Sequence, residues 1–427
     1  MRPAHHAGIA VAVALLTITS SGFSAGESME IVSRSGRSER GILKGVPVLI
    51  LRGSDTERGE AHGALCGREI VAVIRDFVIP TAEKGSKAVT GEKGFNAYEK
   101  AIRPSLRILK WTPRFEEELA AMLRGIRRAL PDPKDRFLPA LNREIDEDDL
   151  KAMNTLADWS YQGCSSFAAW GALTPDGQAV IGRNLDFPSS PGLCAAHCLM
   201  AFVPDGEGIQ PILGVSFMGM IGIVTAMNQD GVFVSMNNVS EMVSSGKTDR
   251  FPRCLALRES LERARSATAL ADISEALRQQ PILVGNNILV GRPAPQGELA
   301  AVLEWDGDPQ DRGVTLRSGE RRDGADAIFC TNHHISRAGK KPEPGSLGRY
   351  AAMREEVARF LTAEKQISSL KEARQVLARS AGAKTLHSVV VWPATRRWAL
   401  ALSPGEGKPA VDQPWIEFSW SDLMPAP

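Results

Sequence analysis

Hydrophobic and polar positions repeat with two different periods along this chain, and the change falls near residue 164. Before it, PVLILR at 47–52 predicts a short buried strand. From Thr56 the spacing turns helical through TERGEAHGALCGREIVAVIRDFVIP, a run that Pro80 is expected to end. RFEEELAAMLRGIRRAL at 114–130 is amphipathic and runs into the breaker PDP. Asp146 to Trp159 carries acidic residues in its first turn, where they favour a helix start. Residues 25–163 therefore read as mostly helical.

After that point the period shortens. CSSFAAWGAL and QAVIGRN flank the turn TPDG and predict a hairpin. AAHCLMAFVP, PILGVSF, IGIVTAM and GVFVSMNN follow as strands, the last two joined by NQDG. Residues 253–279 read as two helices with a break near Ser266. Strands return at NNILVGR, LAAVLEWD and AIFCTN; residues 347–379 are helical, and LHSVVVWPATRRWALALS closes the chain as a hairpin. Strands, a helix pair, strands again and further helices predict two sheets packed between helices.

Composition adds little to that picture except at the ends of the argument. The 427 residues are 43% hydrophobic and 24% charged, as in ordinary globular proteins. Lys+Arg total 51 against 50 Asp+Glu, a net charge of +1, which gives no footprint for nucleic acid or an anionic membrane. Arg2, His5 and His6 precede an apolar run from Ala7 to Leu16, then TITSSGFSAG. That order reads as a secretory signal over residues 1–24, with Gly22 and Ser24 at the small positions before the cut. Export implies an oxidising compartment, periplasmic or extracellular. The 6 cysteines are too few for a disulfide scaffold, although Cys194 and Cys198 are close enough in sequence to pair across a turn.

Cys164 directly follows Gly163 at the start of the hairpin. If the bond between them were cut, Cys164 would carry a thiol and a free α-amine on one residue. An α-amine titrates at about 7.7–8.0, so it can serve as base for its own side chain. Nucleophile and base are then adjacent without any folding requirement. Gly163 tolerates the backbone angles of a strained loop and leaves its carbonyl unshielded. Arg183 and Asp186 lie on the partner strand; a cation beside sulfur favours the reactive thiolate, and a carboxylate can hold the amine. Being three apart, the two need a twist or bulge to serve one site. Taken alone, they also fit a surface ion pair on a hairpin.

GCSSFAAWGALTPDGQAVIGRNLDF resembles the start of the mature chain in the penicillin acyltransferase family (acyl-coenzyme A:6-aminopenicillanate acyltransferase-like). These are N-terminal-nucleophile hydrolases, alongside choloylglycine hydrolases and acid ceramidase. RGSDTERGEAHGALCGREI, MNQDGVFVSMNN, the helix pair from Phe251, TNHH, LGRY and TLHSVV follow in family order. The resemblance implies a four-layer αββα sandwich, preceded by a helical pro-region that becomes an α subunit ending at Gly163. Residues 164–427 are then the β subunit. It implies amide chemistry through a thioester on Cys164, with Arg183 and Asp186 beside it. Asn238, counted from Gly231, matches an oxyanion-hole asparagine, with Asn237 the alternative because one residue flips the face of a strand. Asn332 matches a second asparagine and Arg349 a late arginine that steadies the nucleophile. Fixed amide donors suit an acyl transfer that builds charge on oxygen. No metal or cofactor is required, and the expected partner is a small acyl amide, with the two cleaved pieces staying associated.

Other readings stay open at this level. An uncut, inactive relative that binds acyl ligands fits the same motifs. A secreted Cys–His hydrolase would use His387 or His333 as base. His333 and His334 are adjacent and would diverge on an extended segment, and His387 reads as a structural hydrogen-bonder. Penicillin, bile salts, N-acyl amino acids, peptides and lipid amides are equally compatible substrates.

Overall fold

The computed structural model describes residues 28–90, 97–160, 163–242, 249–294, 297–306, 313–322, 325–337, 342–405 and 407–424. The expected export signal at 1–24 lies outside the described residues. Among those described, no helix is long and apolar enough to cross a membrane.

Two large sheets organise the molecule. The ten-stranded sheet runs, in spatial order, through Glu30–Ser35, Ser38–Leu43, Val46–Gly53, His197–Pro204, Ile212–Phe217, Thr225–Asn228, Phe233–Met242, Val284–Gly291, Ala300–Trp305 and Val314–Arg317. The seven-stranded sheet runs through Glu320–Arg322, Ala325–Cys330, Gly163–Gly171, Gly177–Asp186, Thr385–Trp392, Arg397–Leu402 and Ile416–Ser419. The predicted hairpin is therefore central, with neighbours on both sides. Its TPDG turn closes with Gly177 at φ +71, a left-handed conformation that favours glycine.

Alternation along each strand builds separate cores. In Val46–Gly53, Val48 and Ile50 point between the sheets, while Leu49 and Leu51 point to the helices. In Gly163–Gly171, Ala168 and Trp170 face the other sheet, while Phe167 and Ala169 face outward. Helices Asp55–Val73, Pro113–Ala129, Arg253–Arg263 and Ala269–Arg278 cover the ten-stranded sheet. Pro344–Thr362 and Leu370–Ala378 cover the seven-stranded one. Helix, sheet, sheet, helix is the expected four-layer order, with an apolar core at each interface.

The segment before Cys164 departs from the pattern in two places. It opens with three strands, of which only the third was legible, and that third strand pairs in parallel with His197–Pro204 (Val48 opposite Leu199). Pro80 does not stop its helix. A single π-turn at Ile74–Val78 interrupts the run, and Pro80 then sits in the first turn of Ile79–Thr90, where a missing N–H costs little. The glycines of this segment permit close helix packing. A methyl group at Gly59, Gly63 or Gly125 would collide with the backbone carbonyl of Glu118, Met122 or Glu60.

A buried ion network ties these helices to the later part of the chain. Arg258 donates to both oxygens of Glu118 at 2.9 and 3.1 Å and to Glu262 at 2.8 Å; Arg114 reaches Glu262 at 2.7 Å. The side chains of Glu118, Glu262 and Arg258 are fully enclosed.

Candidate active site

Cys164 is wholly buried at the inner end of the central hairpin, opposite Leu185. Both of its polar atoms are held. Its backbone N–H donates to Asn332 Oδ1 at 2.8 Å, and Arg183 Nη2 donates to its Sγ at 3.5 Å. Arg183 points inward with Cys164 because both occupy the same face of the hairpin. It is fixed in turn by the carbonyls of Asn184 and Met236, each at 2.9 Å, and by Thr225 Oγ1 at 2.5 Å.

Asp186 reaches the site from the opposite face. It pairs with Gly163 across the strands, and a Cβ at Gly163 would stand 3.1 Å from the Asp186 Cβ. Glycine is thus suited here by close approach rather than by an unusual φ. Asp186 accepts from Thr385 Oγ1 at 2.6 Å, and burial raises its carboxyl against the opposing pull of Thr385, Arg349 and Arg183. A register irregularity in the neighbouring strand, between Thr385 and His387, lies alongside this residue.

The two asparagines hold different atoms. Asn332 Oδ1 accepts from Cys164 N and also from Arg349 Nη2 at 2.5 Å, so its other end must be the amide donor, which reaches the Asn238 carbonyl at 2.6 Å. The loop carrying Asn332 is pinned by Ser346, whose Oγ accepts from Asn332 N at 2.9 Å, and by Asn287, which donates to the carbonyls of Thr331 and His333. Asn238 Nδ2 reaches the Ser160 carbonyl at 3.4 Å, just upstream of the Gly163–Cys164 bond. Its Oδ1 is buried with no hydrogen-bond partner among the described residues. Asn237 turns the other way, donating to Cys330 Sγ at 2.7 Å and Ser166 Oγ at 3.3 Å between the sheets.

Cys164, Arg183, Asn332, Asn238 and Arg349 are therefore joined by single contacts, and Asp186 stands opposite Gly163 at the same bond. The histidines do not join them directly. His333 Nδ1 lies 2.8 Å from Ser346 Oγ, and His334 Nε2 lies 3.2 Å from the Asn286 carbonyl. His387 is separated from the thiol by Thr225 and Arg183. All six cysteines are free thiols; Cys194 sits on the short helix Pro191–Ala195 and Cys198 on the following strand, and the pairing their spacing allows is not formed.

On the helical side of Cys164 the surroundings are apolar. A cavity beside Leu185 is lined by Met153, Leu156 and Ala157 from before the hairpin, and by Phe217 and Met220 from after it. Its loop is held from the earlier segment: Gly219 N donates to His62 Nε2 at 2.8 Å, and Ile221 N to Asn154 Oδ1 at 2.7 Å. Asp158, on the short helix Leu156–Trp159, faces Arg253 Nε at 3.4 Å, and burial pushes its carboxyl up to about 6.

Two sheets thus lie between helix layers, with Cys164 held at its N–H and at its sulfur on the central hairpin. The chain belongs to the family described as "Acyl-coenzyme A:6-aminopenicillanic acid acyl-transferase", whose profile matches residues 173–405, more than half of the chain. The match begins past Cys164 and includes Arg183, Asp186, Asn238, Asn332 and Arg349. An uncharacterized protein of Archaeoglobus fulgidus is 24% identical over 265 residues, 55% of this chain; the chain spans only 39% of that relative's length. Among solved structures, the N-acylethanolamine-hydrolyzing acid amidase ortholog of Caenorhabditis elegans is 18% identical at TM-score 0.40, covering 54% of this chain and 93% of its own. A mutant form of the conjugated bile acid hydrolase of Clostridium perfringens is 13% identical at TM-score 0.41, covering 61% and 97%. Penicillin V acylase of Agrobacterium tumefaciens is 12% identical at TM-score 0.40, covering 61% and 87%.

Proposed function

We propose that this chain cuts itself between Gly163 and Cys164 and then hydrolyses or transfers the acyl group of a linear amide through the Cys164 thiol. The observation that carries this reading is the double hold on one residue. Asn332 receives the Cys164 N–H at 2.8 Å and Arg183 addresses its sulfur at 3.5 Å, so the future amine and the nucleophile are both oriented before any cut.

In the cleavage step Sγ attacks the Gly163 carbonyl and gives up its proton. The C–N bond breaks, the Cys164 nitrogen takes a proton, and a thioester to Gly163 forms. Water hydrolyses the thioester, releasing the Gly163 carboxylate and restoring the thiol. In turnover the free amine accepts the thiol proton, Sγ attacks the substrate carbonyl, and the ammonium protonates the leaving amine. Water or a second amine then takes the acyl group from sulfur.

Asn238 is the donor assigned to the oxyanion, since its amide already addresses a backbone carbonyl near the bond. Asn332 is assigned instead to the amine, because its oxygen faces Cys164 N and its donor is engaged. Arg349 steadies Asn332, and Asp186 stands beside the cut across from Gly163. The leading segment 1–24 is assigned to export, and the piece ending at Gly163 to an α subunit that stays bound.

A denaturing gel of the purified protein tests the proposal. It predicts two fragments, one ending at Gly163 and one starting at Cys164, while Cys164→Ala stays whole. A wild-type chain that remains single and still hydrolyses amides would sink self-cleavage; one that remains single and inert would favour the acyl-binding relative.

A further inference from the structure

Behind Arg183 stands a file of side chains that the cysteine chemistry does not use. Thr225 Oγ1, which accepts from Arg183 Nε at 2.5 Å, lies 3.1 Å from His387 Nε2. His387 Nδ1 lies 3.1 Å from His197 Nε2. Every member is buried, and the His197 ring stacks on Phe217 with centroids 4.4 Å apart. The file thus alternates between the seven-stranded sheet (Arg183, His387) and the ten-stranded one (Thr225, His197).

A guanidinium N–H only donates, so the Thr225 oxygen accepts from Arg183. The oxygen could accept twice, but its own buried proton then has His387 Nε2 as the acceptor within reach among the described residues. That places the proton of His387 on Nδ1, where it is donated to His197 Nε2. The proton of His197 sits on Nδ1, which has no hydrogen-bond partner among the described residues. The arrangement requires two neutral rings, and burial lowers both, His197 to about 3 and His387 well below its ordinary value, with His197 and Arg183 adding to it.

We propose that His387, backed by His197, is a positioning residue for Arg183. A threonine hydroxyl is a rotor that can present either its proton or a lone pair. By accepting the hydroxyl proton, His387 keeps the lone pair toward Arg183 Nε. That fixes the guanidinium plane and so the approach of Nη2 to the Cys164 sulfur. A ring cation at His387 would present Nε2–H to the same oxygen and release the rotor.

The inference rests on Cys164 being the nucleophile, and the test separates the two claims. The full chain is compared as wild type, His387→Leu, His387→Gln and Thr225→Val. Two rates are read: appearance of the fragment starting at Cys164, and alkylation of Cys164 by iodoacetamide at pH 7, followed by peptide mass spectrometry. His387→Leu and Thr225→Val are expected to slow both by about 10-fold or more, the usual cost of removing a partner that orients a reactive group. His387→Gln, which can accept through Oε1 and donate through Nε2, is expected to restore most of the loss. If His387→Leu does not fold, Thr225→Val and the glutamine variant decide. Unchanged rates in folded Leu and Val variants, or a glutamine variant as slow as leucine, would overturn the relay while leaving Cys164 in place. A wild type that neither cleaves nor alkylates Cys164 faster than the half-buried Cys194 removes the nucleophile and the relay together.

Discussion

Cys164 stands between two unlike neighbourhoods. Toward the sheets, Arg183, Thr225, Asn332 and Ser166 each spend their polar atoms on named partners within hydrogen-bond distance. Toward the helices, Leu156, Ala157, Leu185 and Met220 offer only apolar surface. The sheet side can fix atoms to a fraction of an ångström because strand register fixes backbone, and backbone fixes side chains. The helical side meets the hairpin through apolar packing, with its own polar ties at His62, Asn154 and Asp158 set behind that wall. The polar contacts to Cys164 thus come from the sheet side, while the apolar wall is shared: four of the ten residues lining the cavity lie before the proposed cut.

The sharpest way to test that division is to remove its hinge. Cys164→Ala should abolish fragment formation altogether while leaving a cooperative unfolding transition. Next, Asn332→Ala strips the acceptor from Cys164 N and leaves the buried Asn238 carbonyl and Arg349 without their partner. Cleavage should slow by about 10–100-fold, the usual cost of removing a partner that orients a reactive group, with fragment appearance timed on gels. Leu156→Ala on the opposite side should behave otherwise. Its unfolding free energy should drop by about 2–5 kcal/mol, as for other truncations in a core, measured by urea titration. A cleavage rate that falls as far as that of the Asn332 variant would erase the distinction between the two sides.

The smallest expected effect treats both sides alike. His62, on the helical side, and His197, on the sheet side, are each driven by burial to about 3. Their folded values lie below the ordinary histidine value, so the unfolded chain binds more protons below about pH 6.5. Stability is present above that pH and lost as the pH falls toward 3. By pH 5 each ring should cost about 2 kcal/mol, seen as a lower urea midpoint than at pH 7. His62→Gln, which can still accept from Gly219 N, should flatten the slope. A slope equal to wild type would place the titrating group elsewhere.

Much of this is legible in the sequence alone, for physical reasons. The hairpin around TPDG announces itself because turn residues and a change of period coincide, and Gly163, Cys164, Arg183 and Asp186 sit on it. Asn237 and Asn238 could not be separated, because their choice depends on which face of a strand is buried against which layer. Glu30–Ser35 and Ser38–Leu43 leave little pattern because EIVSRS and SERGIL are largely polar, the first an edge strand and the second held by pairing on both sides rather than by apolar content. His387 was visible as a residue in TLHSVV, but its use depends on Thr225 and His197, each far away in sequence. Thr225 carried no mark at all, since a threonine in a strand is commonplace.

The parallel pairing of Val46–Gly53 with His197–Pro204 bears on how such a molecule can be produced. A chain begun at Cys164 would lack the strands that cap one end of the larger sheet. His197–Pro204 would then be a bare edge, apolar along most of its length, offering unmet backbone groups to any passing copy. Synthesis of residues 164–427 alone should therefore yield aggregates rather than a ready-made enzyme. The leading segment has to be present at birth as a template, whatever is cut afterwards.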